Sequence, residues 1–209
     1  FEVVKNENAV VSQEKIDILH ILEKSILRIL LLYGDIAIEF QNIFIKYDED
    51  QKEIEVIEKV NSKIFERIYL NLQEDEIEFS NPLFKKIYDD LVLNFLQNET
   101  FNNKSYLNNL QEDFAPIVTD ILMEDEKNQL HGWLDKKQVF VKEKTNEEVL
   151  QRLVSETIIA YREYLINKLV SELVLNFSSN PELDLEELKT SVNEYNGLKV
   201  TITRSIGRL

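Results

Sequence analysis

Thr145 to Phe177, TNEEVLQRLVSETIIAYREYLINKLVSELVLNF, decides how the rest of the chain is organised. It opens with Thr145-Asn146-Glu147-Glu148, in which the Thr hydroxyl can accept from a backbone donor three residues on while Glu148 reaches back, a doubly satisfied helix start. Leu150, Val154, Ile158, Tyr161, Leu165, Leu169 and Leu173 then recur at steps of three or four, which places them on one face of a helix. No Gly or Pro interrupts the run. A helix of about thirty residues reaches about 45 Å, more than a compact bundle of this size needs for its own core. Part of it is therefore expected to project, as a stiff rod carrying a small positively charged tip away from the body.

Composition sets the frame. A chain of 209 residues, 44% hydrophobic, can bury one core with an appendage. Only four Gly and three Pro, beside abundant Leu, Ile, Glu and Lys, favour helices over a sandwich or barrel, so the expected class is all-α. The formal charge of −15 repels phosphate backbones, and duplex DNA is not expected as a direct partner. With no Cys there is no disulfide framework, thiolate nucleophile or Cys-based zinc site, in keeping with a reducing, cytoplasmic setting. The longest apolar runs, such as Ile29 to Tyr33, fall far short of the ~20 residues of a membrane span, so a soluble chain is expected. The start at Phe1, without an initiator Met or a signal pattern, reads as a piece excised from a longer protein.

Working outward, Phe1 to Val11 lacks periodicity and reads as a linker remnant. Ser12 can cap a first helix whose stripe is Leu19, Leu22, Ile26, Ile29 and Tyr33, with Gly34 at a left-handed C′ position. Ile36 to Ile45 is a shorter apolar stretch, and Lys46 to Glu53 is a polar surface loop. Its Asp48 and Asp50 resemble the opening of a calcium loop, but the Gly at the sixth position and the Glu at the twelfth are missing. A second helical pattern runs from Val60 through Ile64, Phe65, Ile68, Tyr69 and Leu72 to an acidic turn, Glu74-Asp75-Glu76. Asn81 as N-cap with Pro82 at the first helical position starts the next helix sharply, since Pro lacks only a donor that has no partner there. Asn102 to Leu110 and Glu112 to Met123 read as two short helices, with Pro116 tolerated in a first turn. Val139-Phe140-Val141 reads as a brief extended stretch. Ser178-Ser179-Asn180-Pro181 repeats the cap-plus-Pro device, and Gly197 breaks or kinks the helix that follows. From Leu198 to Leu209 the chain has Lys199, Arg204 and Arg208 and no acidic residue, a local reversal of charge.

No constellation carries a complete catalytic chemistry. Asp89-Asp90, and Asp120 with Glu124 and Asp125, are carboxylate clusters beside Lys or Asn and read as solvated helix charge. His20 and His131 have no second ligand at helical spacing, which favours packing or capping, and Trp133 reads as closing one end of the core. No Gly-rich phosphate loop is present, and no catalysis or metal site is expected within this fragment.

The stretches Glu23 to Gly34 (EKSILRILLLYG), Glu78 to Asp90 (EFSNPLFKKIYDD), Val118 to Trp133 (VTDILMEDEKNQLHGW) and Ser205 to Leu209 (SIGRL) give the chain a family likeness. It resembles the C-terminal, helicase-interacting domain of bacterial DNA primase, the DnaG family. None of these stretches is a catalytic signature; the likeness rests on the order and wording of helices. The resemblance implies a helix bundle over residues 12–165 and a long connecting helix over about 146–177. A C-terminal helical hairpin over 166–209 would then dock on the N-terminal domains of the replicative DnaB-type helicase. It implies that the zinc-binding domain and the magnesium-dependent primer-synthesising domain lie upstream, with no cofactor in this fragment. The acidic segment 36–60 departs from the pattern in length.

Read alone, the basic tail is equally a complement to a helix dipole or a partner surface. The resemblance favours the partner surface, with Tyr195, Lys199, Thr203, Arg204, Arg208 and Leu209 as the candidate contacts and a swapped last helix as a route to dimers. Two alternatives stand beside it: the related N-terminal domain of the helicase itself, and an independent all-α enzyme with a carboxylate site around Asp120 and Glu124.

Overall fold

In the computed structural model, residues 17–47, 52–98, 100–127, 146–179 and 185–206 are described. Helix α1 (Ile18–Tyr33) lies at the centre of the body, and Leu19, Ile26, Leu27, Ile29, Leu30, Leu31 and Tyr33 on it are buried. Asp17 caps it, its Oδ1 accepting from His20 N at 3.1 Å. Ser12, the cap expected from sequence, lies outside the described residues. Gly34 ends α1 in right-handed geometry, φ −53 and ψ −36, and not in the left-handed C′ conformation. A glycine stands there because of close approach: a Cβ would collide with the Phe95 ring and the Leu30 carbonyl.

The expectation of an all-α fold fails at the next segment. Strands β1 (Ala37–Tyr47) and β2 (Glu53–Lys63) pair antiparallel from Ala37↔Lys63 to Tyr47↔Glu53. Among the described residues the fold is mostly helical with one small two-stranded sheet. The period is two: Ile38 and Phe40 face the core while Glu39 faces out, where Lys59 pairs with it at 2.7 Å across the strands. Ile54, Val56, Ile57 and Val60 suit extended backbone, and the residues from Val60 to Lys63, expected to start a helix, extend the strand instead. Ile64 N donates to Ile36 O and Phe65 N to Gly34 O, both at 3.0 Å, tying the strand ends to the start of α2 (Ile64–Glu74). Arg67 on α2 sits over the Phe40 ring, its guanidinium carbon 5.3 Å from the centroid.

Helix α3 (Pro82–Gln97) begins as its sequence dictates, with Asn81 Oδ1 accepting from Leu83 N at 2.9 Å and Phe84 N at 3.2 Å. Helices α4 (Asn103–Asn108) and α5 (Ala115–Lys127) follow, the latter with Pro116 in its first turn. His131, Trp133 and Val139 to Val141 lie outside the described residues. The ring of His20, the other histidine, packs on Phe84 with centroids 4.6 Å apart.

Helix α6 (Glu147–Ser179) is the predicted long helix. Its N-cap is Asn146, whose Oδ1 accepts from Glu148 N at 3.0 Å. Glu147 reaches back to the sheet, accepting from Glu39 N at 2.7 Å. Leu150, Val154, Ile158, Tyr161 and Ile166 are buried, and beyond Ile166 none of its described side chains is. The helix passes through Ser178 and Ser179, whose hydroxyls donate to carbonyls four residues back, while Asn180 and Pro181, the expected cap and first helical position of the next helix, lie outside the described residues.

Helix α7 (Leu185–Ile206) returns antiparallel to α6 and runs unbroken through Gly197, where a Cβ would meet only open space. It also lies against β1. The expected geometry of a basic tip held away from the body is therefore corrected: an antiparallel return carries the basic end back toward the body. The far end of the hairpin bears Glu186 and Glu187.

Among the described residues one ionisable acid or base, Glu23, is buried at the centre of the body. Glu23 on α1 is fully buried, and its carboxylate accepts from Ser80 N at 2.5 Å, Asn81 N at 3.2 Å and Tyr161 Oη at 3.3 Å. Burial, and then the Glu23 charge, push the Tyr161 phenol above its ordinary range, so it stays a donor. Replacing Glu23 with Ala strips two backbone donors and a phenol of their acceptor. We expect Glu23→Ala to lower unfolding free energy by about 3–5 kcal/mol and Glu23→Gln by less, read from urea titration. A loss under about 1 kcal/mol for Glu23→Ala contradicts this, being no more than an average substitution.

Candidate functional site

The C-terminal end of α2 builds one wall of a large cleft. Glu76 N donates to Gln73 O at 3.1 Å and Ile77 N to Leu72 O at 2.9 Å, the paired bonds of a Schellman ending. That ending needs a left-handed residue, and Glu76 supplies it at φ 52. A glutamate there bears a Cβ cost that Gly would not.

Opposite this turn lies the second half of α6, and α7 closes the far side. The cleft encloses about 600 Å³. Ile77, Leu165, Ile166, Leu169, Leu198 and Ile202 give it apolar surface; Asp75, Glu76, Glu78 and Glu172 make most of its charge negative. Arg162 pairs with Asp75 through its Nε and places Nη2 3.4 Å from Asn71 O, with its side chain nearly covered. Its charge also helps hold Arg67 below the usual guanidinium range, after burial of Arg67 itself. Such a surface can accept an apolar side chain or the face of a helix, and favours basic over acidic groups at its rim.

Of the residues singled out from sequence, the structure places Tyr195 in the wall of this cleft, half-buried. Lys199, one turn on, donates to Asn167 Oδ1 at 3.2 Å and so joins α7 to α6. Thr203 and Arg204 belong to the last turn of α7, but their side chains lie outside the described residues, as do Arg208 and Leu209 entirely. The structure thus brings Tyr195 and Lys199 to one end of the hairpin. Leu198, Ile202, Arg162 and the Asp75 to Glu78 turn were not foreseen. Leu198 and Ile202 share a helical face with Tyr195, a signal present in the spacing; the turn had none, because no Gly or Asn marks its left-handed position.

The carboxylates weighed as an enzyme site are engaged otherwise. Lys24 Nζ lies 2.8 Å from Asp120 and 2.9 Å from Glu124, and these two bonds raise its pKa. Among the described residues no three His, Cys, Asp or Glu stand close enough to hold a metal ion. No helix among them is long and apolar enough to cross a membrane.

Residues 9–209 match the family described as Domain of unknown function (DUF8430), and the chain belongs to that family. No curated protein and no solved structure matches.

Relieving the strain in the cleft wall gives a direct check. We expect Glu76→Gly to raise stability by about 0.5–1 kcal/mol, seen as a higher urea midpoint with unchanged slope. A fall in stability would show that the glutamate side chain holds the turn by contacts stronger than its backbone cost.

Proposed function

We propose that this chain is the helicase-binding module of a bacterial DNA primase, recruiting the primase to the replicative DnaB-type helicase in the cytoplasm. Binding of this kind couples RNA primer synthesis to unwinding. The single observation that carries the reading is the α6–α7 hairpin, which leaves the packed body after Ile166 with apolar side chains uncovered. Leu175 is 66% exposed, Val200 53% and Leu185 and Leu198 49% each, in a pair of helices already packed on each other. Scattered exposed Leu is ordinary, but four on one protruding element give a second protein something to bury.

The stretches that resemble the primase domain support the same reading, because two of them meet inside the body. Glu23, which opens one, accepts from Ser80 and Asn81, which lie in another. The primer-synthesising chemistry, with its magnesium, and the zinc-binding domain belong to the parent chain and not to this module. The contacts proposed for the helicase are Tyr195, Lys199, Thr203, Arg204, Arg208 and Leu209, with the apolar residues of the hairpin beside them. A swap of the last helix between two copies is a further route to dimers.

The test is titration of the chain against the N-terminal domains of the replicative helicase. Removal of residues 196–209 is expected to abolish binding, and Leu198→Asp with Val200→Asp to weaken it at least about tenfold. The association rate is expected to fall with added salt through Arg204 and Arg208. Unchanged affinity in both variants, with the body still folded, would overturn the proposal.

A further inference from the structure

A second recess lies on the opposite part of the body, between the last two turns of α3 and the short helix α4. It encloses about 140 Å³ and is lined almost wholly by polar side chains. Asp90 and Asn94 share one face of α3 there, and Asn98, its C-cap, follows four residues on. Asn94 Nδ2 donates to Asp90 O at 2.9 Å, and Asn98 Nδ2 to Asn94 O at 2.8 Å. A backbone carbonyl can only accept, so each amide must turn its NH2 inward to the helix and its Oδ1 away from it. Neither Oδ1 receives a bond among the described residues, and no ion pair forms there on the Asp90 carboxylate. On its α3 side the recess therefore presents two amide acceptors and one negative charge.

Tyr106 stands at the same place and gives an independent sign. The residue is 6% exposed, yet its buried hydroxyl has no hydrogen-bond partner. Burial, and then its interaction with the neighbouring Asp90 carboxylate, push its pKa far above the ordinary phenol range. A buried hydroxyl without a partner is a rare and unfavourable arrangement. The ring is fixed by an aromatic run: Phe65 stacks on Phe95 at 4.6 Å, Phe95 meets Phe101 at 4.4 Å, and Phe101 meets Tyr106 at 5.3 Å.

We propose that this recess binds a small organic cation, a primary ammonium or guanidinium group. Asp90 supplies the charge, Asn94 and Asn98 the carbonyl acceptors, and the Tyr106 hydroxyl a further acceptor at its floor. An anion is disfavoured by the Asp90 carboxylate; Thr100, Asn102, Ser105 and Asn109, which also line the recess, are uncharged and set no preference of sign. A tightly held divalent ion is disfavoured because only one carboxylate is present, where such ions take several hard oxygen ligands. The volume suits a charged head with a few carbons, below the ~300 Å³ of a site for larger ligands. A strongly acidic chain also concentrates cations near its surface.

The test uses the full chain, ¹⁵N-labelled, titrated with methylguanidinium and with methylurea, which has nearly the same shape without the charge. Methylguanidinium is expected to shift the side-chain amides of Asn94 and Asn98 and to bind at least about tenfold tighter than methylurea. Asp90→Asn is expected to remove that preference. Asn94→Asp, which keeps the shape and adds a second carboxylate, is expected to tighten binding, so the proposal stands or falls even if Asp90→Asn does not fold. Two further arms assign the source: N-acetyl-arginine methylamide or N-acetyl-lysine methylamide binding as tightly as methylguanidinium or ethylammonium marks a partner's side chain, and binding of the free amines alone marks a small metabolite. Equal binding of methylurea, equal shifts with potassium ion at the same concentration, or shifts confined to the cleft around Tyr195 would each overturn the proposal.

Discussion

One carboxylate in the interior, that of Glu23, holds three separate elements in register. A lone buried carboxylate costs several kcal/mol in lost hydration, so it persists only where donors replace the water. The donors here are the backbone N–H groups of Ser80 and Asn81, which precede α3 and have no helical partner of their own, with the phenol of Tyr161 from α6. The positive end of the α3 dipole adds to their attraction. A single side chain on α1 thereby fixes where α3 begins and where the long helix crosses the core, and Phe79, stacked on Tyr88 at 4.8 Å, packs beside it.

From that fixed crossing the mechanics of the molecule follow. The first half of α6, from Leu150 to Ile166, is bound into the core on one face, and the second half leaves it as a rigid extension of the same helix. α7 packs back along this extension and meets β1, so the β-hairpin braces the base of the helical one. The cleft arises where the α2 ending, α6 and α7 diverge. A partner that grips the hairpin would thus pull on a rod anchored at Tyr161, and not on a loose tail.

How much of this the sequence made legible varied with the physics of each element. The long helix was readable because its apolar period and its lack of Gly and Pro act over many turns. Asn81 with Pro82 was readable because capping is local chemistry. The β-hairpin was not: Ile36 to Ile45 is a short apolar run of a kind that suits strand and buried helix equally, and the strongly polar residues after it masked the pairing. Val60 joined a helical period by coincidence, although the strand runs on to Lys63. Glu23 stands beside Lys24 with no signal of burial in the sequence, and only the fold shows that one turns inward to Ser80 while the other turns out to Asp120 and Glu124. At the candidate site the Tyr195 face was visible as a stripe, whereas the Asp75 to Glu78 wall depends on a backbone conformation that Glu rarely adopts.

The most direct measurement is amide hydrogen exchange at Ser80 and Asn81. Residues just ahead of a helix ordinarily exchange at loop rates, because their N–H groups face water. With the Glu23 clamp in place, both amides should exchange only on global unfolding, together with Val154 and Ile158 in the first half of α6. Exchange of Ser80 and Asn81 at loop rates, while α1 and α6 stay protected, would contradict the account.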